Sequence, residues 1–499
     1  MSMTSASSGC IGASGGGALT ELIALGAADQ YLTANPTITF FRFRYNKHTN
    51  YAMEAIEQPF NSQVAFGSDC QVTLNRTGDL IYFMYVVIDL PAIKGVDNTQ
   101  GICGIGSPMF PSPNSYCDPC GDGPVPNDCD NCCPSSSAQA DDFDTNPDYE
   151  TFDEFDTCTG LKAPWAHWTN AIGQFLVQRA CLVIGGQVVS VLYADYLYMW
   201  EELAGQPGKR LTEMIGKRYT RAQLVADSQE DRRLYVPLPF WFTKTSGNAL
   251  PLVSLQFHGV QIHVMFANLL DCVQVSDNGI LVLKCNSCQP LNQNDLNARL
   301  LTTYVYLDIH ERDRFATGSF EQLIDQVQYF NIVSNQQQVR MNLNFNHPII
   351  ELLWAVKRQC QMNVNNWFNY SGKWGRDPVK FVHLRLNNLP RFSAKEGRYF
   401  RLVEPYQYHT LIPESFTYCF SFALFPEEPQ PSGSMNASRI DNVELILELQ
   451  DELVDDGPVQ IVVFGRKHFQ LRQKATCRRE YMQHGGKTVE SACLEISSC

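Results

Sequence analysis

The 499-residue chain contains no run of about 18 uncharged apolar residues, so no segment of it reads as a transmembrane helix. Its N-terminus lacks a charged region followed by an apolar one, and no secretory signal is expected. Basic residues are outnumbered, 38 Lys and Arg against 52 Asp and Glu. The resulting net charge of −14 argues against direct duplex DNA binding, which needs cations against phosphates. Catalytic patterns are missing as well. There is no G-x4-GK[ST] phosphate loop, no H-E-x-x-H and no strand-helix dinucleotide fingerprint. A formal G-x-S-x-G match at Gly12–Gly16 lacks the strand that must precede a nucleophile elbow. His310, Glu311 and Asp313 sit where a strand runs into a connector, a place where solvation and ion pairing are the ordinary roles. His258 and His263 are five apart, on opposite faces of an expected strand Leu255–Phe266, and make poor joint metal ligands. The sequence therefore offers no catalytic residue and no cofactor site, and the expectation is a protein that is not an enzyme.

What is present points to β structure. Aromatic residues make up 11% of the chain, and 33 Gly and 26 Pro supply turns and loops. The length allows two to four domains or one large doubled one. The most informative stretch is Ser415–Leu449. Phe416, Tyr418, Phe420, Phe422 and Leu424 alternate with Thr417, Cys419, Ser421 and Ala423, which predicts a strand with one aromatic, buried face. Pro426, Pro429, Pro431 and Gly433 end it, and Val443, Leu445, Leu447 and Leu449 define a second strand. Two long antiparallel strands joined by a rigid loop are expected here.

Further strands are expected at Ile38–Tyr45, Gln71–Leu74, Leu80–Leu90 and Leu234–Phe242, with a strand, Gly185-Gly186 turn and strand after Trp165. A short helix is expected within Ala18–Leu32, where Leu19, Leu22, Ile23 and Gly26 share a face. The run LIYFMYVVIDL is apolar on both faces, which implies cover on both sides. It also belongs to an internal echo. Leu74–Val87 aligns without gaps on Leu343–Val356, an offset near 270 that implies two copies of one large β domain.

Several of these stretches carry a resemblance. FALFPEEPQPSGSMNASRIDN resembles the signature of the major capsid proteins of large nucleocytoplasmic DNA viruses. The matching positions are Pro426, Glu427, Glu428, Gln430, Pro431, Ser432, Gly433, Asn436, Ser438, Arg439, Ile440, Asp441 and Asn442. GGGALTELIALGAADQYLTANPTITFF, W-x-N-x-IG at Trp168, Pro237–Phe242 and Leu300–Ala316 are similar to other segments of that family, although Gln178-Arg179 replace its usual acidic residues. The resemblance implies an all-β fold of two consecutive eight-stranded antiparallel jelly rolls, with a short N-terminal helix and long surface loops. It implies a homotrimer forming a pseudo-hexagonal capsomer that tiles an icosahedral shell assembled in the host cytoplasm. Partners would be neighbouring capsomers, minor capsid and penton proteins, and an inner viral membrane, with no specific nucleic-acid binding. A jelly-roll carbohydrate-binding, lectin-like protein is the alternative.

The expected domains are an N-terminal arm (1–35), a first barrel (36–316) with a Cys-rich acidic insertion (95–160), a second barrel (317–465) and a basic tail (466–499). In the insertion, Cys117, Cys120, Cys129 and Cys132 have the C-x2-C-x8-C-x2-C spacing of a zinc site. Disulfides that also involve Cys133, Cys103 or Cys158, and free thiols, stand beside that reading. The acidic run Asp141–Asp156 reads as a solvated face rather than a calcium loop. Three N-x-S/T acceptors for glycosylation occur, at Asn75, Asn369 and Asn436. The segment Asp271–Asn297 and the tail fall outside the resemblance.

Overall fold

Strand formation follows the two-residue apolar period along most of the chain. The computed structural model describes residues 16–24, 26, 35, 47–97, 165–473 and 494–497, except 257, 277–279, 286–288, 319 and 455–456. The chain divides into two compact units, Met1–Asn50 and Tyr51–Cys499. In the first, helix α1 (Gly16–Ile23) begins earlier than the predicted window and exposes Leu22 and Ile23. The strand expected at Ile38–Tyr45 lies outside the described residues, as does the insertion beyond Asp97 with its cysteines.

The second unit opens with β1 (Tyr51–Pro59), β2 (Asp69–Thr73), β3 (Leu80–Leu90), β4 (Val177–Ile184), β5 (Gln187–Tyr193), β6 (Arg232–Pro237), β7 (Val260–Phe266) and β8 (Asn297–Leu307). They form two antiparallel sheets, ordered β1-β8-β3-β6 and β2-β7-β4-β5. There follow β9 (Phe320–Ser334), β10 (Gln338–Asn342), β11 (Pro348–Arg358), β12 (Val379–Leu386), β13 (Leu389–Pro390), β14 (Tyr418–Ser421), β15 (Val443–Leu449) and β16 (Val459–Gln473). Their sheets run β9-β16-β11-β14 and β10-β15-β12-β13. Each strand of the second set takes the seat of its counterpart in the first, so the fold is a double jelly roll. The echo is real in three dimensions, because β3 and β11 are the paired copies and lie beside β8 and β16 respectively.

Short strands add to these sheets. Leu250–Pro251 pairs with β3, Met435–Asn436 with β11, Lys395–Glu396 with β12 and Leu494–Ser497 with β16. Residues 271–297 supply one strand to each of two ribbons, Ile280–Lys284 on Ile93–Asp97 and Val273–Val275 on Ala166–Trp168. Between β4 and β5 the Gly185-Gly186 turn has φ values of 60° and 82°, conformations that a side chain disfavours. A helix, α2 (Ala194–Ala204), follows β5 directly, and one hydrophobic cluster runs through both barrels from Val86 and Phe266 to Trp354 and Phe464.

Four expectations change. Tyr418–Ser421 is a four-residue strand, and both of its faces are buried: Thr417, Tyr418 and Cys419 are inaccessible, while Leu424 is 62% exposed. The helical segment 399–408 packs on its outer side, which removes the wet face that alternation implied. Second, β14 and β15 do not pair with each other; they belong to the two opposite sheets of the second barrel. Third, β6 ends at Pro237, and Trp241–Lys244 forms helix α3 instead of continuing the strand. Fourth, β7 starts at Val260, so His258 belongs to a turn, its ring lying where a Cβ on Gly185 would fall 2.7 Å away.

The apolar run on β3 is covered fully on its inner side and only in part on its outer side, where Val87 is inaccessible. A bulge sets Tyr82 and Phe83 opposite Thr303, since Ile81 pairs with Tyr304 and Met84 with Thr302. Met84, Val86, Ile88 and Leu90 fill the barrel, whereas Phe83 stays 37% exposed. Phe315, from helix α4 (Ile309–Thr317), covers Leu80 and Val305 at one end of this outer face.

Packing inside the second barrel is tight at Gly465, where an added Cβ would lie 2.8 Å from the Phe345 ring. Gly465→Ala should cost about 1–3 kcal/mol by overpacking and lower the thermal midpoint, and Phe345→Leu in the same chain should recover part of the loss. An unchanged midpoint for Gly465→Ala would contradict this packing.

Candidate functional site

Among the described residues the charged side chains singled out on the connector do not converge. His310 and Asp313 are exposed on α4, and among the described residues no three His, Cys, Asp or Glu side chains come together as a metal site. Charges concentrate instead in the joint between the barrels. The outer face of the β9-β16-β11-β14 sheet carries Tyr329, Phe464, Arg466, His468, Glu351 and Asp325, and α2, α3 and β5 of the first barrel lie against it. Tyr193 stacks on Tyr329 at 4.8 Å and Tyr196 meets Phe464 at 5.8 Å. Trp200 lies between two cations, with the Lys244 ammonium 4.5 Å and the Arg466 guanidinium 4.6 Å from its ring centre.

Each cation has a carboxylate. Lys244 Nζ is 2.9 Å from Asp325, whose other oxygen is 3.4 Å from His468. Arg466 Nε lies 3.2 Å from Glu351, and both side chains are inaccessible to water. His409 then bridges two carboxylates, Nε2 at 3.2 Å from Glu351 and Nδ1 at 3.0 Å from Glu427. Burial opposes the charge on His409, but Glu351, Cys419 and Glu427 outweigh it and raise its pKa to about 12. Burial likewise opposes ionisation of Glu351 and Glu427, yet Arg466 and His409 for the one, and His409 and Thr410 for the other, hold both below the ordinary range. Desolvation of such ions is costly, so breaking one pair is expected to cost more than the pair contributes.

Further contacts lock the joint. Glu202 of α2 pairs with Lys217 and accepts from the backbone N–H of Glu414 at 2.8 Å and Ser415 at 3.2 Å. Lys357 Nζ and the Tyr370 hydroxyl reach Asp195 at 2.5 and 3.0 Å. Asn365 Nδ2 donates to Leu270 O and Val273 O at 2.6 and 2.8 Å, and Trp367 Nε1 donates to Asp271 O at 2.8 Å.

The signature loop enters this network through Glu427, which accepts from Thr410 N at 2.9 Å as well as holding His409. Ser432 Oγ accepts from Phe425 N at 2.8 Å. Gly433, at φ 149°, sits where a Cβ would meet Phe422 O at 2.6 Å. Asn436 Oδ1 caps Ser438 N at 3.1 Å, Ser438 Oγ accepts from His347 N at 2.8 Å, and Asn442 N donates to Asn387 Oδ1 at 3.0 Å. Pro426 is buried and Ile440 half-buried, while Glu428, Gln430, Pro431, Arg439 and Asp441 are exposed. Of the glycosylation acceptors, Asn75 is exposed in the β2–β3 turn. Asn369 is buried and bonded to Ser371 and Gln361. Cys117, Cys120, Cys129 and Cys132 lie outside the described residues.

Sequence reasoning missed Glu351, Arg466, His409, Lys244 and Trp200. A signal was present. Glu351 interrupts PIIELLWAV and Arg466 and His468 interrupt VVFGRKHF, charges in runs otherwise apolar enough to be buried, and buried charges need partners.

Comparison with known proteins places this architecture. Residues 311–462 match the model of the large eukaryotic DNA virus major capsid protein, and residues 39–105 and 150–308 match that of the major capsid protein N-terminus. The major capsid protein of Pyramimonas orientalis virus is 31% identical over 87% of this chain and 92% of its own length. The chain belongs to the major capsid protein family of large eukaryotic DNA viruses. Among solved structures, the Faustovirus major capsid protein superposes with a TM-score of 0.64 at 12% identity, covering 91% of this chain and 96% of that one. A quasi-atomic model of the PBCV-1 virus capsid gives a TM-score of 0.60 at 23% identity, covering 87% and 97%. As a capsid protein the chain is a structural component of the virion and not an enzyme, and it associates with itself in forming a shell.

The stability of this capsid protein should respond to pH through His409, in the buried network on the second barrel's side of the joint. A raised His pKa contributes stability that is complete below the unfolded value of 6.5 and lost as pH climbs towards about 12. The depressed Glu351 and Glu427 contribute above the unfolded value of 4.5 and lose it as pH falls through their folded values. The thermal midpoint of the wild type should therefore exceed that of His409→Gln most between roughly pH 5 and 6.5. The gap should shrink steadily on the alkaline side; a gap constant to pH 10 would contradict the assignment.

Proposed function

We propose that three copies of this chain associate into a pseudo-hexagonal capsomer and that such capsomers tile the icosahedral shell of a large double-stranded DNA virus. The observation that supports it most is the repeated sheet topology. Two barrels of one design, locked side by side by a buried ionic joint, make a chain with near-equivalent units, so a threefold ring approximates a hexagon. A hexagonal outline packs into flat facets, and interfaces of this obligate type are large and apolar. In this reading assembly takes place in the host cytoplasm, and minor capsid and penton proteins and an inner membrane complete the shell. The insertion that leaves the first barrel between β3 and β4 forms the outer crown, with its cysteines in whichever state that surface imposes. Asn75 is the glycosylation acceptor this reading favours, being exposed at a barrel end.

Light scattering on the purified, undenatured protein tests the proposal. A mass of three chains, with hexagonal particles in electron micrographs, is expected. A stable monomer without shell-forming tendency would overturn it and direct attention to glycan binding.

A further inference from the structure

Inside the chain, the outer face of the β9-β16-β11-β14 sheet is covered by the helix that follows the fifth strand of the other barrel, where Phe464 and Arg466 meet Tyr196 and Trp200. The equivalent outer face of the first barrel, on β1-β8-β3-β6, has no such helix against it among the described residues. Tyr51 and Met53 are 60% and 54% exposed there, Phe83 is 37% exposed, and Tyr85, Leu301 and Tyr235 are half-buried. Strand alternation and register put all six on this side, because the intervening Val86, Leu300 and Leu234 are buried inside the barrel. One end of the face is charged: Asp89 holds Arg233 and Arg299, each at 2.6 Å, and Arg299 reaches Glu57 at 3.3 Å. An apolar centre with a polar rim is the anatomy of a protein interface.

A matching cover exists in the second barrel. The helical segment 399–408 follows the short strand Lys395–Glu396 just as α2 follows β5. Its inner side is fixed by Phe400, which is inaccessible, and by Arg401, 3.4 Å from Asp377. Its outer side presents Leu402, Val403 and Tyr406, the last 78% exposed, at a spacing that makes one stripe. We infer that the Leu402-Val403-Tyr406 stripe of one chain docks on the Met53-Phe83-Tyr85 face of a second copy. The contact repeats between chains the joint that α2 makes within one. This inference rests on the capsomer reading above and names its inter-chain surface. The contact is heterologous, stripe to face, and such contacts close into rings when the rotation fits. Alternating internal and external joints of one geometry supply that rotation.

Native light scattering of Tyr406→Glu and Phe83→Arg tests it. Each single variant should associate about tenfold or more weakly than the wild type, since a lone charge enters an apolar interface. Both substitutions in one chain should restore the oligomer, because the introduced carboxylate and guanidinium then face each other across the contact. Val188→Glu, at a 58% exposed position on the other sheet of the first barrel, should keep the wild-type mass. An unchanged thermal midpoint of the separated chains separates lost association from lost folding. Trimeric single variants beside a trimeric wild type would overturn the inference alone, and cover of the Phe83 face by residues 1–50 of the same chain would give that result. A monomeric wild type would remove the capsomer reading and the inference together.

Discussion

A jelly-roll sheet has two faces, and its own barrel can fill only one. What happens at the other face governs most of this structure. In the second barrel it is covered by α2 and α3 of the first, and the cover is built from rings and ions: Tyr193, Tyr196 and Trp200 against Tyr329, Phe464 and Arg466. In the first barrel the same face carries Phe83 and Tyr85, with Phe315 and Ala249 packed at its edge among the described residues.

The ionic content of the joint follows from its depth. Greasy contact alone would let the barrels slide, because apolar surfaces are not directional. Arg466, Glu351, His409 and Glu427 form a chain of opposite charges on the second barrel's side of the joint, and Lys244–Asp325 and Lys357–Asp195 pair charges of one barrel with charges of the other. Moving one barrel against the other would strand a buried charge, a cost of several kcal/mol per ion. The joint is therefore directional, which a tile with fixed edges requires. The signature loop takes part through Glu427, while its turn geometry depends on Gly433 and on caps from Asn436 and Ser438.

Much of this was legible in the sequence, for identifiable reasons. Leu80–Leu90 is read to the residue because its apolar run is bounded by turn residues, and Val443–Leu449 because its alternation is strict. The strand around Phe420 was read too long and too wet because period alone does not reveal a helix packed on its polar side. Trp241-Phe242 looked extended by composition, yet the chain turns helical after Pro239. The joint was illegible as a site. Its members lie far apart, from Trp200 to Arg466, and only the repeat of topology brings them to one face. A charge inside an apolar strand announces that a partner exists, but not which one.

Hydroxyl-radical footprinting of assembled and separated chains tests the central claim most directly. Tyr196 and Trp200, covered within the chain, should be protected in both states. Met53, Phe83 and Tyr406 should be modified readily in separated chains and protected after assembly. Equal modification of those three in the two states would contradict the account, since the outer face of the first barrel would then be left bare in the shell.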